Sequence, residues 1–138
     1  MSTNSTSSNN SNISPKKQVL VIDDEEGIRE SLKLILADEF PMILTNDGEQ
    51  GLDCLANNHQ NIGIVLLDIK MPNDNGLHVL EEIKTKYPDL KVIIITGYKS
   101  VETANEAVRL GAAGYIVKPF KSDEILATVR KNLTENAR

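Results

Sequence analysis

Carboxylates, a hydroxyl and an ammonium group stand at the ends of four short apolar runs in this sequence. Asp23 and Asp24 directly follow one of these runs, and Asp68 follows another. Thr96 is the last residue of a third run, and Lys118 directly follows a fourth. Where such groups meet they can support phosphoryl transfer, because the protein's task there is to position the reacting atoms and to neutralise charge on the phosphoryl oxygens.

Five apolar runs in all are short and rich in Val and Ile, which is typical of strands buried on both faces of a parallel sheet. They are QVLVI (18–22), MILT (42–45), IGIVLL (62–67), KVIIIT (91–96) and GYIV (114–117). The segments between them have helical periodicity, so that Ile28, Leu32 and Ile35 fall on one helix face. Five successive strand–helix units predict an α/β fold with a doubly wound, five-stranded parallel sheet.

The carboxyl ends of the strands are the expected place for a ligand, because open α/β sheets bind ligands outside that edge. If the first and third strands are neighbours, Asp23, Asp24 and Asp68 converge there. Three carboxylates in close proximity repel one another unless a cation or a proton intervenes. Mg²⁺ suits such a group, because it prefers octahedral oxygen coordination and leaves room for a phosphoryl oxygen. The sequence therefore predicts a Mg²⁺ site at which Mn²⁺ can substitute.

The predicted nucleophile is Asp68, which would attack a phosphorus atom in line with its leaving group and become an aspartyl phosphate. Mg²⁺ is expected to bind one phosphoryl oxygen. The Thr96 hydroxyl and the backbone N–H of Gly97 are expected to bind a second, and Lys118 the third. Gly97 has no Cβ, so its backbone can approach the phosphoryl group closely.

Four segments resemble, in their order and spacing, the receiver domain of two-component response regulators. They are VIDDEEGIR, LLDIKMPNDNGL, IIITGY and GAAGYIVKPF. The resemblance implies a flavodoxin-like (βα)5 receiver fold with strand order 2-1-3-4-5. It also implies that Asp68 is phosphorylated from the phosphohistidine of a sensor histidine kinase or a histidine phosphotransfer protein. Such a chain gains and loses the phosphoryl group on its own aspartate and is not an enzyme that turns over a free substrate.

The same resemblance assigns roles to groups around the acceptor. It implies that Asp24, Asp68 and the backbone carbonyl of Lys70 ligate the metal. Asp23 would act mainly through a metal-bound water. The backbone N–H of Lys70 would bind the phosphoryl group.

A conformational switch is expected to follow phosphorylation. The new charge on Asp68 should pull Thr96 inward, and Tyr115 can rotate into the vacated space. The face made by the fourth helix, the fifth strand and the fifth helix would then change shape, and a downstream protein that prefers this state would bind there. The resemblance implies the same switch, together with a cis peptide between Lys118 and Pro119 that would aim the lysine at the site.

Other polar residues near the predicted site receive less specific interpretations. Glu25 and Glu26 are expected to be solvated acids at a helix N-terminus, where the macrodipole favours them. Lys70 and Tyr98 lie at the periphery of the site, where bulky side chains can obstruct or align the attacking water. We expect them to slow hydrolysis of the phosphoryl group.

Composition argues against several other functions. The chain has 15 basic and 20 acidic residues, a net charge of -5 and no cluster of Lys and Arg. Direct binding to nucleic acid or to a membrane surface is therefore not expected. No apolar run approaches the roughly 18 residues of a spanning helix, and the N-terminus lacks the apolar core of a signal peptide, so a cytoplasmic protein is expected.

The domain organisation is predicted to consist of one folded unit. Residues 1–17 are mostly Ser, Thr and Asn and are interpreted as a disordered tail. Residues 18–134 form the receiver domain, and 135–138 form a C-terminal tail. The predicted protein is a monomer or a dimer that forms on phosphorylation.

Three classes of function remain open at this point. The chain is a stand-alone phospho-acceptor, or the N-terminal receiver fragment of a longer response regulator such as a transcription factor. The third class is an enzyme with an aspartyl-phosphate intermediate, such as a haloacid-dehalogenase-type phosphatase. Those enzymes carry the nucleophile in an Asp-x-Asp pattern after the first strand, whereas Asp68 follows the third. A flavin-binding module fits less well, because no Ser/Thr-rich loop follows the first strand.

Overall fold

A five-stranded parallel sheet forms the centre of the protein in the computed structural model, which describes residues 17–72 and 74–136. Its strands are β1 (Gln18–Ile22), β2 (Met42–Thr45), β3 (Ile62–Leu67), β4 (Lys91–Thr96) and β5 (Gly114–Val117). They are arranged in the order β2-β1-β3-β4-β5, and every neighbouring pair is parallel. The predicted fold class, strand order and strand limits are confirmed.

One helix follows each strand. The helices are α1 (Glu26–Leu36), α2 (Gly48–Asn58), α3 (Gly76–Lys86), α4 (Val101–Arg109) and α5 (Ser122–Asn136). A single 3-10 turn, His59–Asn61, links α2 to β3. The last helix continues two residues beyond the predicted domain limit at 134. Apart from residue 17, the predicted N-terminal tail lies outside the described residues.

Apolar side chains pack in two layers, one on each face of the sheet. Because successive strand residues point to opposite faces, Val19 and Val21 join the layer covered by α1 and α5. Leu20 and Ile22 join the layer covered by α2, α3 and α4. Each fully buried side chain of this size contributes about 1.5 to 3 kcal/mol. The central strands are thereby fixed on both sides, and so are the residues that follow their carboxyl ends.

A short hairpin after β3 is a feature that the sequence did not predict. Residues Lys70–Met71 pair with Asp74–Asn75 in antiparallel fashion. The Asn75 side chain then caps α3 by accepting hydrogen bonds from two backbone N–H groups of its first turn. A Cβ at Gly76 would overlap the backbone of Ile69, so only glycine allows this close approach. The hairpin therefore holds the chain that follows Asp68 tightly against α3.

Within the described part of the chain, no helix combines the length and apolar character needed to cross a bilayer.

Candidate functional site

The carboxyl edge of the sheet opens into a cleft of about 950 Å³. Its lining includes five of the residues singled out in the sequence, namely Asp24, Asp68, Lys70, Gly97 and Lys118. The neighbouring strands β1, β3, β4 and β5 supply the site, as expected for a parallel sheet. Asp23 and Thr96 lie beneath this surface, where both are almost fully buried.

Lys118 is the centre of the polar cluster. Its Nζ lies 3.0 Å from Asp23 Oδ2, 2.9 Å from Asp68 Oδ2 and 2.7 Å from Glu25 Oε1. The side chains of both aspartates are 3% exposed and that of Lys118 is 12% exposed. Charges so far removed from water interact strongly, because little solvent screens them. The structure therefore brings together Asp23, Asp68 and Lys118, which follow the first, third and fifth strands.

Both oxygens of the Asp68 carboxylate accept hydrogen bonds. Oδ1 accepts a hydrogen bond from the backbone N–H of Lys70 at 2.8 Å, and Oδ2 accepts one from Lys118. The backbone N–H of Asp68 donates to the Ile22 carbonyl, which ties it to the end of β1. The orientation of the carboxylate is therefore fixed before any ligand binds.

Burial opposes ionisation of the Asp23 carboxylate. Burial raises its pKa, and this effect exceeds the opposing hydrogen bonds from the Glu25 backbone and from Lys118. Its Oδ1 accepts from the Glu25 N–H at 2.9 Å, while Arg29 donates to its backbone carbonyl at 2.9 Å. An additional positive charge nearby would favour the ionised form of this carboxylate.

Lys118 keeps its positive charge in this environment. Burial alone lowers the pKa of its ammonium group, but the hydrogen bonds to Glu25, Asp68 and Asp23 outweigh burial and raise the pKa above its ordinary value. Its backbone N–H donates to the Thr96 carbonyl, and the peptide bond to Pro119 is cis. The lysine is thus a fixed cation at the floor of the cleft.

The Tyr98 backbone connects Thr96 to Tyr115. The Tyr98 N–H donates to Thr96 Oγ1 at 3.4 Å, and the Tyr115 hydroxyl donates to the Tyr98 carbonyl at 3.0 Å. Burial raises the pKa of the Tyr115 phenol, and the charge of Asp68 adds to this shift, so the phenol stays protonated and able to donate. A displacement of the Thr96 side chain would therefore alter the hydrogen bond of Tyr115 through the Tyr98 backbone.

Two further residues lie at the mouth of the cleft. The Lys70 ammonium lies 5.2 Å from the centre of the Tyr98 ring, in a cation–π arrangement. A Cβ built at Gly97 meets no atom within 4 Å, so packing does not require glycine there. The backbone of Gly97 is accordingly open to a ligand in the cleft.

Glu25 is an exposed acid at a helix N-terminus, as expected, but its carboxylate also pairs with Lys118 and so takes part in the cluster, which the sequence did not predict. Together with Asp23 and Asp68 it supplies carboxylate oxygens that all lie within 4.8 Å of one another and could hold a metal ion. Asp24 instead is exposed on the rim of the cleft and is outside this trio. No local sequence pattern indicated this pairing, because Glu25 and Lys118 are 93 positions apart.

Comparison with known proteins agrees with the fold. The sequence model of the response regulator receiver domain matches residues 19–130. The chain belongs to the family of response regulator receiver domains. A receiver domain is a signalling domain.

Individual relatives show how much of a longer protein such a domain represents. The chain is 37% identical over 117 residues to the regulatory protein AtoC of Escherichia coli (strain K12), covering 84% of this chain and 25% of AtoC. It is 40% identical over 116 residues to a putative response regulator NtrX-like of Rickettsia bellii (strain RML369-C), covering 82% and 24%. The chain thus spans about a quarter of the length of these two relatives.

A solved structure of similar size also matches. The crystal structure of a CheY-like response regulator receiver domain protein from Methanospirillum hungatei JF-1 has a TM-score of 0.84 and 30% identity. The match covers 89% of this chain and 98% of that one.

Proposed function

We propose that the chain is a phospho-acceptor in a two-component phosphorelay and that Asp68 receives the phosphoryl group. One observation carries this proposal: the buried, doubly hydrogen-bonded carboxylate of Asp68 lines the cleft beside the ammonium of Lys118. A nucleophile of fixed orientation next to a fixed cation meets the two main requirements of phosphoryl transfer, namely positioning and charge neutralisation.

The proposed step forms one bond and breaks another. A carboxylate oxygen of Asp68 attacks the donor phosphorus, and the bond from phosphorus to the donor atom breaks with its electron pair leaving on the donor. When the donor is a phosphohistidine, that atom is an imidazole nitrogen. Lys118, the Thr96 hydroxyl and the backbone N–H groups of Gly97 and Lys70 are the proposed donors to the phosphoryl oxygens. Hydrolysis restores Asp68, so the chain acts on its own side chain.

The donor set supports a Mg²⁺ site, with Mn²⁺ as a substitute. Asp23 and Asp68 are buried carboxylates, and their local charge together with that of Glu25 exceeds that of Lys118. Hard oxygen ligands of this kind suit Mg²⁺. We propose that Asp24, Asp68 and the Lys70 carbonyl hold the ion and that Asp23 contacts it through water. When bound, Mg²⁺ supplies positive charge that offsets the carboxylates and the phosphoryl oxygens.

The output is proposed to be the face formed by α4, β5 and α5. Thr96 would turn toward the phosphoryl group and release the Tyr98 N–H, and Tyr115 would adjust because it is bonded to the Tyr98 carbonyl. A downstream protein that prefers this arrangement would then be recruited. Dimerisation through this face on phosphorylation, the slow hydrolysis attributed to Lys70 and Tyr98, and the cytoplasmic location remain predictions.

A second candidate is that the chain is the receiver part of a longer response regulator. The coverage of about a quarter of AtoC and of the NtrX-like relative favours this. The complete reading frame decides between the two candidates. In either case the proposed receiver limits, 18–134, and the acceptor Asp68 stay the same.

Intact-mass measurement after incubation with acetyl phosphate and Mg²⁺ tests the acceptor. Wild type should gain the mass of one phosphoryl group, and Asp68→Asn should gain none because the amide is not a nucleophile. Asp53→Asn, on the exposed surface of α2, is the matched control and should behave as wild type. A phosphoryl adduct that persists in Asp68→Asn would show that the acceptor is another residue.

A further inference from the structure

Glu25 occupies the N-cap position of α1, yet its side chain makes no capping hydrogen bond. Its carboxylate instead reaches Lys118 Nζ, 93 positions away along the chain, at 2.7 Å. Of the three ion pairs that Lys118 makes, this one has the shortest distance. The Glu25 carboxylate therefore pairs with Lys118 across the cleft and does not cap its own helix.

The ammonium group of Lys118 is saturated by its three carboxylate neighbours. An ammonium has three N–H donors, and here they face Asp23, Glu25 and Asp68. To donate to a phosphoryl oxygen, Lys118 must therefore give up one of these partners. Asp23 is buried and would lose a compensating charge, which is costly. Asp68 is the reacting carboxylate and keeps its charge until its bond to phosphorus forms, so its pair with Lys118 is also costly to break while the donor approaches.

Glu25 is the partner that can leave most easily. Its side chain is 59% exposed, against 3% for each aspartate. On release, water hydrates its carboxylate, so breaking this pair costs less than breaking a pair with a buried aspartate. A phosphoryl oxygen that arrives at Lys118 would take over this N–H donor.

We propose that Glu25 is a positioning residue that holds Lys118 in the unphosphorylated protein and is displaced from it by the phosphoryl group. Glu25 therefore competes with phosphoryl-like anions for Lys118 and weakens their binding. This inference rests on the proposed function, because it requires that Lys118 contacts a phosphoryl group on Asp68.

Three variants distinguish the effect of the Glu25–Lys118 ion pair from the effect of removing one negative charge. Glu25→Gln removes the ion pair, and Glu26→Gln removes the same charge one residue away, where the side chain is exposed and makes no ion pair with Lys118 in the part of the chain that the structure describes. Glu25→Asp keeps the charge but shortens the side chain by one methylene, so its carboxylate falls short of Lys118. Thermal unfolding checks that each variant is folded.

The affinity for beryllofluoride, a phosphoryl mimic that is not transferred, is measured by NMR titration in saturating Mg²⁺. We expect Glu25→Gln and Glu25→Asp to bind it about two- to fivefold more tightly than wild type, the range that corresponds to a surface ion pair. Glu26→Gln should bind as wild type does. The gain should shrink as NaCl is added, because salt screens the exposed pair. The rate of phosphorylation by acetyl phosphate should follow the same order.

A titration with Mg²⁺ alone provides the second readout. The Mg²⁺ affinity of Glu25→Gln should equal that of Glu26→Gln. A clear loss confined to Glu25→Gln would assign Glu25 to the metal and overturn the inference. Equal beryllofluoride affinities in wild type, Glu25→Gln and Glu26→Gln would also overturn it, while leaving the phospho-acceptor function intact. If wild type bound neither beryllofluoride nor a phosphoryl group, the proposed function itself would fail.

Discussion

At the scale of single residues, the cluster around Lys118 balances one positive charge against three carboxylates. The folded protein has to accommodate the excess negative charge, and burial of Asp23 opposes the ionised form of its carboxylate. Sites of this kind combine function with a cost in stability, because charges arranged for a ligand repel one another in its absence.

Asp23→Asn should therefore stabilise the metal-free protein. Burial raises the pKa of Asp23, so the folded state binds a proton there more tightly than the unfolded chain, and the ionised form lowers the free energy of unfolding. At about pH 7, where wild-type Asp23 has to be ionised, we expect the variant to be more stable than wild type. The gain should vanish as the pH falls below the folded pKa of Asp23, because wild type is then neutral there as well.

Urea unfolding in EDTA at a series of pH values measures this difference. Asp89→Asn, at an exposed position after α3, is the control and should show no such pH-dependent gain. A stability gain that stayed constant as the pH was lowered would rule out the ionisation of Asp23 as its origin.

At the scale of elements, the hairpin Lys70–Met71 and Asp74–Asn75 and the start of α3 hold the segment after Asp68 in place. The close approach of Gly76 to Ile69 is the contact on which this arrangement depends. Gly76→Ala should lower the free energy of unfolding by about 1 to 3 kcal/mol, since the backbone must shift to accept the Cβ.

Gly27→Ala is the matched control for Gly76→Ala. Gly27 lies in α1, and an added Cβ there meets no atom within 4 Å. Because alanine is the better helix former, this variant should be neutral or more stable by up to about 1 kcal/mol. Chemical denaturation of both variants gives the comparison, and a Gly76→Ala protein as stable as wild type would mean that the loop after Asp68 is not held by this contact.

The elements also show how far sequence patterns can predict this fold. The five strands could be predicted directly, because each is a short apolar run. The central strands β1, β3 and β4 are buried on both faces, whereas the edge strands β2 and β5 are mostly half-buried. The hairpin after β3 could not be predicted, since two residues per strand leave no periodicity to detect. The partner of Glu25 was equally hidden, because 93 positions separate it from Lys118 and only the completed sheet brings them together. The site residues at strand ends were predictable by contrast, since the strand order alone determines where they meet.

At the scale of the whole molecule, a net charge of -5 and a carboxylate cluster that could hold a metal ion favour the binding of cations to the folded state. A ligand that binds only the folded state stabilises it by mass action, about 2.7 kcal/mol at a concentration one hundred times its dissociation constant. Mg²⁺ should accordingly raise the Tm of the wild-type protein.

Thermal unfolding in MgCl2 and in NaCl of equal ionic strength tests this expectation. Asp68→Asn should lose most of the Mg²⁺-specific increase, because it removes a proposed ligand, whereas Asp53→Asn should keep it. An identical rise in both salts would mean that Mg²⁺ acts by general screening of the negative charge and not at the carboxylate cluster.

The Tyr98 residue, bonded through its N–H to Thr96 and through its carbonyl to Tyr115, has a practical consequence for spectroscopy. The chemical shift of its amide proton depends on Thr96 at the candidate site, and that of its carbonyl carbon depends on the Tyr115 phenol at the proposed output face. Isotopic labelling of tyrosine would therefore let the signals of Tyr98 report on Thr96 and Tyr115 in one experiment. It would reveal whether these two side chains move together or one after the other.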